Sequence, residues 1–336
     1  MRVRLGLALG LLLCPAPGLL PADAQTFGPT LRPTEPRQLP QGLHPLYQPQ
    51  HLPPVTGPVK PGEDIAFGAY QRGYFVTALK EAMKRIEKNK SDAAAMTLVA
   101  EIYRDGSGIR KNTAEAARWY KLAADRGDPQ AQFHLAAAAL RGEGIAEDRS
   151  LAKGLLQKAA AKGHAGALYN LGIMAIDGDI QDFTSAAEFF RKAAERGNMD
   201  GAYSLAVLYR EGRGVPQDIP EAAKWLRRAA DDHIAAAEVE LAIMTFNGEG
   251  VTKDEAAAAK LFLRAAVRNN PIAMNRLARL HASGRGVRKN PVEAMKWHLL
   301  ARAVGLQDEF LDGVLDRLTA QERADVEASV KKFVGP

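Results

Sequence analysis

From about residue 93 onward the chain reads as short segments in which small and apolar residues recur three and four positions apart, broken by polar, glycine-rich stretches. In 199–233, MDGAYSLAVLYREGRGVPQDIPEAAKWLRRAADDH, the first such segment carries Gly201, Leu205, Ala206, Leu208 and Tyr209. At about 100° per residue these fall on one broad face, so the segment predicts an amphipathic α-helix that buries that face. The second segment carries Trp225 and, four residues later, the pair Ala229/Ala230. Small residues let two helices approach closely, and the bulky one fills the space between them. The whole stretch predicts a helix hairpin.

Its neighbours on both sides are variants of it, so the chain is an array. A Gly-x-Gly turn follows each first helix at Gly106/Gly108, Gly142/Gly144, Gly212/Gly214, Gly248/Gly250 and Gly284/Gly286, with a reduced version at Gly178. The first glycines step by 36, 36, 34, 36 and 36 residues. Each turn leads to Asn112, Asp148, Asp182, Asp218, Asp254 or Asn290. Short polar side chains there accept the free N–H groups of a starting helix, and Glu115, Glu221 and Glu293 three residues on would complete capping boxes. The second helices repeat the Ala pair at 123/124, 159/160, 193/194 and 265/266, each four residues after Trp119, Leu155, Phe189 or Leu261, with Trp297 in the same place in the last unit.

These residues together resemble the Sel-one-like repeat, a relative of the tetratricopeptide repeat with a longer Gly-x-Gly loop. The resemblance covers about 92–306. It implies an all-α fold, a right-handed α-solenoid of antiparallel helix hairpins that binds other proteins and has no catalytic residues of its own. Two departures stand out. The third loop, Asp177-Gly178-Asp179-Ile180, lacks the second Gly, and His233 and Asn269 stand where other units close with Gly127, Gly163 and Gly197. A different turn is expected in those two units.

Residues 1–24 begin Met-Arg-Val-Arg, continue with an apolar run and end Ala22-Asp23-Ala24, which predicts a cleaved signal peptide and a periplasmic or secreted protein. A lipoprotein site at Cys14 is disfavoured by the bulky Leu13 before it. Residues 25–61 hold ten of the nineteen prolines and predict an extended arm, either a spacer or a docking strand or tether that reaches a partner with Tyr47 and Leu52 as anchors. Residues 62–90 predict an N-terminal capping hairpin, 91–306 six repeats, and 307–336 C-terminal capping helices, with Thr319 to Glu322 as a further capping box. No segment after the leader is long and apolar enough to span a bilayer.

The net charge of +6 is spread as mixed signs along helices such as Lys80, Glu81, Lys84, Arg85 and Glu87, which reads as a solvated face and not as a nucleic-acid footprint. The one cysteine lies in the leader, which excludes disulfide staples and thiol chemistry in the mature chain. His134, His164, His233, His281 and His298 are scattered among units with no metal-ligand spacing, so neither a metal nor a cofactor is expected. The Gly-x-Gly loops join helix to helix, so they are turns and not phosphate cradles.

Counting back from the first Gly of each loop, positions −9, −5 and −2 project away from the buried face, toward the side that lines the concave surface in the superfamily. In the middle units these positions are apolar where water-facing residues should be polar: Phe133, Tyr169, Ile173, Tyr203, Val207 and Ile243. Such a stripe fits a groove for a peptide or an amphipathic helix. The alternative is that neighbouring units pack tightly enough to bury it. The expected function is an exported, non-enzymatic scaffold for a protein partner in the cell envelope, possible roles including regulation of a membrane signalling complex. The competing readings are a polysaccharide-binding module, with the three aromatics stacked on sugar rings, and an envelope enzyme, for which these positions offer only Glu101.

Overall fold

The computed structural model describes residues 64–177 and 180–334. The leader, the arm and two residues of the third loop, Gly178 and Asp179, lie outside the described residues. Those described form sixteen helices and no strand. A short pair, α1 (Ile65–Gln71) and α2 (Phe75–Lys88), comes first. Six hairpins follow: α3 (Ala93–Asp105) with α4 (Thr113–Asp125), α5 (Pro129–Arg141) with α6 (Arg149–Ala161), and α7 (Ala165–Ile176) with α8 (Phe183–Glu195). Then come α9 (Met199–Glu211) with α10 (Ile219–Asp231), α11 (Ala235–Asn247) with α12 (Glu255–Ala266), and α13 (Pro271–Ser283) with α14 (Pro291–Ala303). The chain closes with α15 (Glu309–Leu315) and α16 (Ala320–Val334), which pack on α13 and α14. Each helix otherwise packs chiefly on the one before and the one after it, the arrangement of an α-solenoid.

The loops explain the repeat. Every second helix is capped by the predicted Asn or Asp, whose side chain accepts the N–H three residues on, as from Asn112 to Glu115 at 3.0 Å and from Asp218 to Glu221 at 2.8 Å. The reciprocal half of the box does not form there. The N–H groups of Asn112, Asp218 and Asn290 donate instead to carbonyls of the first helix, Tyr103, Tyr209 and His281, at 2.9 to 3.0 Å. Glu115, Glu221 and Glu293 are left to pair with Arg118, Lys224 and Lys296. The same clasp survives in the short third loop as Asp182 to Ala175, 2.9 Å, so the two-residue deletion removes the bulge of the loop and keeps its anchor. Among the predicted boxes, Thr319 and Glu322 do exchange both bonds.

The first glycines Gly106, Gly142, Gly212, Gly248 and Gly284 each end their helix in a left-handed conformation, as at Gly106 with φ 70°. The second is a contact between repeats. A methyl on Gly144 would stand 2.1 Å from the carbonyl oxygen of Thr113, the first residue of the preceding second helix, and one on Gly286 would stand 2.1 Å from that of Glu255. The loop therefore lies flat on its neighbour only with glycine there. In the third loop the residue after this position, Ile180, is 88% exposed, whereas Ile109, Ile145, Val215 and Val251 tuck against the core. His233 and Asn269 do not turn differently from glycine. They adopt the same left-handed turn, at φ 66° and 63°.

The Ala pairs are buried as expected apart from the half-buried Ala160. Trp297 and Leu155 are buried where the sequence reading put them, whereas in the other units the large residue between helices is one position later. Tyr120, Leu156, Phe190, Leu226 and Phe262 are at most 2% exposed, while Trp119, Phe189, Trp225 and Leu261 are half-buried shoulders. Full burial of such side chains stabilises by about 1.5–3 kcal/mol each. A cationic ladder ties successive repeats at the ends of their second helices. Arg126 donates to the Lys90 carbonyl at 3.0 Å, Lys162 to Gly127 at 2.5 Å, Arg228 to Ala194 at 3.2 Å and Arg264 to Ala230 at 2.5 Å. Positive charge at a helix C-terminus meets both its free carbonyls and its dipole.

Candidate functional site

The six residues of the predicted stripe divide into two rows. Position −9 is a rung between repeats. Thr97 donates to the α5 cap Asp128 at 3.0 Å, Phe133 stacks on the α7 cap His164 with ring centres 4.5 Å apart, Tyr203 donates to Glu240 of α11 at 3.0 Å, and Asn275 donates to the α15 cap Asp308 at 2.7 Å. Phe133 and Tyr169 are accordingly 1% and 7% exposed. For those two the groove assignment is corrected to core: the first helices are drawn together where a −9 side chain meets the start of its neighbour. Tyr169 leans on Phe190 at 5.6 Å, and burial pushes its hydroxyl up to about 12. With two of three aromatic faces covered, the stripe offers no stack of rings for sugars.

Position −5 is different. Ile173, Val207 and Ile243 are half-buried and stand at the same place on α7, α9 and α11. On α9, Tyr203 and Arg210 straddle Val207 by about one turn on either side, and both bind Glu240, which holds the two helices side by side. Outside this apolar window the row turns polar or closes: Glu101 precedes it, Ala137 is buried, and Arg279 is fixed by a two-point contact with Asp308 at 2.6 and 2.8 Å.

Sequence reasoning missed a polar relay at the other end. Gln130 bridges two histidines of different repeats: its carbonyl accepts from His164 Nε2 at 2.9 Å, and its amide donates to His134 Nε2 at 2.7 Å. The tautomer of His164 follows, because its Nδ1 accepts the Ala167 N–H at 3.1 Å. Arg104 lies nearly equidistant from both ring nitrogens of His134, 3.3 and 3.4 Å, and so sits over the ring face. Burial, followed by the Arg104 charge, brings His134 down to about 3. Glu101 stands 3.7 Å from His134, and burial raises its carboxyl to about 7 despite Arg104. With His134 neutral, that contact is not an ion pair. The histidines looked scattered because they are 30 residues apart and only stacking of the repeats joins them. Among the described residues no group of His, Cys, Asp or Glu is arranged to hold a metal ion, and no helix is long and apolar enough to cross a membrane.

Hairpins stacked in register, with caps at their loops and an open row along the first helices, define the class: an α-solenoid repeat scaffold. The chain belongs to the Sel1 repeat family, whose repeat matches residues 93–128, 129–164, 165–198, 200–233, 235–270 and 271–305. It is similar in structure to a Sel1 repeat protein from Oxalobacter formigenes, with a TM-score of 0.65 and 28% identity over 71% of this chain and 98% of that one. It is also similar to a protective antigen present in uropathogenic Escherichia coli strains that displays the same repeat fold, with a TM-score of 0.53 and 25% identity over 80% of this chain and 67% of the other. A chitin synthase regulator of Saccharomyces cerevisiae is 28% identical over 145 residues, which is 40% of this chain and 21% of that protein. The chain thus matches about a fifth of that curated relative. Repeats of this kind are non-catalytic scaffolds that generally bind protein partners.

Proposed function

We propose that this chain is an exported, non-enzymatic adaptor that holds a protein partner along the face of its first helices and regulates a membrane signalling or other complex of the cell envelope. The observation that carries the reading is the row Ile173, Val207 and Ile243, three branched apolar side chains left half-exposed at equivalent places of successive repeats. Ile173 keeps one flank on the core beneath it, and part of each of the three side chains is open to solvent. The sequence of the first 24 residues supports export. The similarity to a chitin synthase regulator supports a role in controlling another protein's activity.

The test is affinity capture from envelope extracts with residues 25–336, alongside a Val207→Glu/Ile243→Glu variant whose melting temperature is unchanged. The expected result is a protein bound by the parent and lost from the variant. A folded variant that captures the same protein equally well overturns the assignment of the row. Export is tested separately by the N-terminus of the protein recovered from its producing cell, expected at Gln25.

A further inference from the structure

In the turns that close the repeats, the residue before the last glycine, or before Asn269, is often a cation with a partner. Arg126 donates to the carbonyl of Lys90, Lys162 to that of Gly127, and Arg268 pairs with Glu238. Arg196, before Gly197, holds the same place in the third unit. Its side chain runs back over Gly163 as that of Lys162 runs over Gly127: a methyl on Gly163 would meet Arg196 Nη1 at 2.0 Å, and one on Gly127 would meet Lys162 Nζ at 2.9 Å. The exposed Arg196 guanidinium nevertheless has no hydrogen-bond or ion-pair partner among the described residues.

A cleft of about 220 Å³ opens beside it, lined among others by Gln130, Phe133, His164, Gly166 and Asn198. Asn198 is 2% exposed. Its Oδ1 caps α9 by accepting the Gly201 N–H at 2.7 Å, which fixes the amide and leaves Nδ2 as its other end. That nitrogen has no partner among the described residues, and a donor set so deep is costly to leave unmade. The acceptors here are already taken. The Gln130 carbonyl accepts from His164 Nε2 at 2.9 Å, His164 Nδ1 accepts the Ala167 N–H at 3.1 Å, and among the described residues no carboxylate lines the cleft. One cationic fork and one neutral donor remain, on either side of Gly197. Free donors, a positive charge and engaged acceptors together select an anion, and the guanidinium fork matches the two oxygens of a carboxylate.

The cleft stands beside the apolar row. Gly166 in its wall and Ile173 in the row are seven residues apart on α7, which is two turns, so they share a side of that helix about 10 Å apart. A segment that covers Ile173 can therefore also place a side chain in the cleft.

We propose that the cleft takes an acidic side chain, Asp or Glu, of the protein partner whose apolar residues cover Ile173, Val207 and Ile243. This rests on the reading of the row as a binding surface and adds the partner's charge to it: a carboxylate to one side of its apolar residues, selected by Arg196 and Asn198.

The probe is a displayed library of random dodecapeptides, selected on the full chain and in parallel on Asn198→Asp and Arg196→Gln variants. Asp keeps the cap on α9 while replacing the donor with a charge of the ligand's own sign, and Arg196 has no bond to lose, so both variants are expected to melt with the parent. Peptides selected on the parent are expected to carry Asp or Glu at a fixed spacing from apolar residues. On the variants the apolar residues are expected to persist and the acid to disappear. A synthetic peptide of the parent consensus is expected to bind Asn198→Asp about tenfold and Arg196→Gln about threefold more weakly than the parent, the second effect being smaller because the guanidinium is exposed and screened. With the acid of the peptide replaced by its amide, the three proteins are expected to bind alike. Parent-selected peptides that lack an acid, or an acid whose removal costs the same affinity in all three proteins, overturn the cleft as its site and leave the row standing. Peptides that bind Val207→Glu/Ile243→Glu as well as the parent, or the enrichment of no peptide at all, overturn the row and this proposal with it.

Discussion

Gly144 lies against the carbonyl of Thr113, so closely that a methyl group on it would sit 2.1 Å from the oxygen. Its φ of +73° is also a conformation that side chains resist. The glycine is thus held by two separate constraints, one local and one from the neighbouring repeat. Gly144→Ala is expected to destabilise by about 2–4 kcal/mol, combining the left-handed penalty with displacement of the loop. Gly197, at φ +87°, has nothing within 4 Å of the added methyl, so Gly197→Ala should lose only about 1–2 kcal/mol. Urea titration of both variants checks this. Equal losses would mean that the contact with Thr113 is not what requires glycine.

The caps make a second comparison. Asp218 takes the Glu221 N–H at 2.8 Å, while the Glu221 side chain reaches only Lys224 on the surface. Asp218→Ala should cost about 1 kcal/mol, and Glu221→Ala no more than about 0.5 kcal/mol. Thermal melts in the opposite order would indicate that the reciprocal box forms in solution.

The buried carboxyl and imidazole predict opposite pH slopes. Glu101 holds its proton up to about 7 when folded against an ordinary 4.5, so the folded state binds that proton more tightly and stability falls as pH rises between those values. His134 falls to about 3 from 6.5, so the folded state disfavours its proton and stability falls as pH drops through that window. Glu101→Gln should remove the first slope and leave the protein more stable than the parent above pH 7, by up to about 3 kcal/mol. The groups facing the pair are Arg104, Asp105, Tyr120, Asp128, Gln130, Arg141 and His164, none of which is altered by that substitution. Denaturant midpoints at pH 5 and pH 8 read the effect as the difference between Glu101→Gln and the parent, because the His134 slope is common to both; a difference that does not grow from pH 5 to pH 8 would contradict the assignment.

The two rows separate by their response to substitution. Phe133→Ala removes a fully buried ring and should cost about 3–5 kcal/mol. Val207→Glu changes a half-exposed position with no rung and should cost less than about 1 kcal/mol. Melting temperatures of the two variants decide whether the rows are as distinct in solution as in the fold.

The hairpins and the caps were legible because each is local: Asp218 and the Glu221 N–H it accepts sit three residues apart, and their geometry follows from one turn of helix. The division of the stripe was not. Positions −9 and −5 differ by one turn and about 40° around the helix, so Phe133 and Ile173 look alike until the neighbouring repeat is placed. The same holds for Trp225 and Leu226, adjacent apolar residues of which only the second reaches the core. The link from Glu101 through His134 and Gln130 to His164 left no mark in the repeat, since those residue types occur there in no other unit. Glu115, Glu221 and Glu293 were misjudged for another reason: the N–H groups of Asn112, Asp218 and Asn290 that they would have accepted already donate to carbonyls nine residues back in the chain.

The cationic ladder gives the array a direction in time. Arg126, Lys162, Arg228 and Arg264 each reach back 34 to 36 residues, to carbonyls of the hairpin made before their own. On a ribosome adding roughly 5–20 residues per second, the hairpins tied in this way therefore emerge with those carbonyls open and wait roughly 2–7 s for the side chain that closes them. Growth proceeds from a finished end toward an unfinished one, and a chain cut short just before one of these four cations leaves the hairpin behind it unsealed.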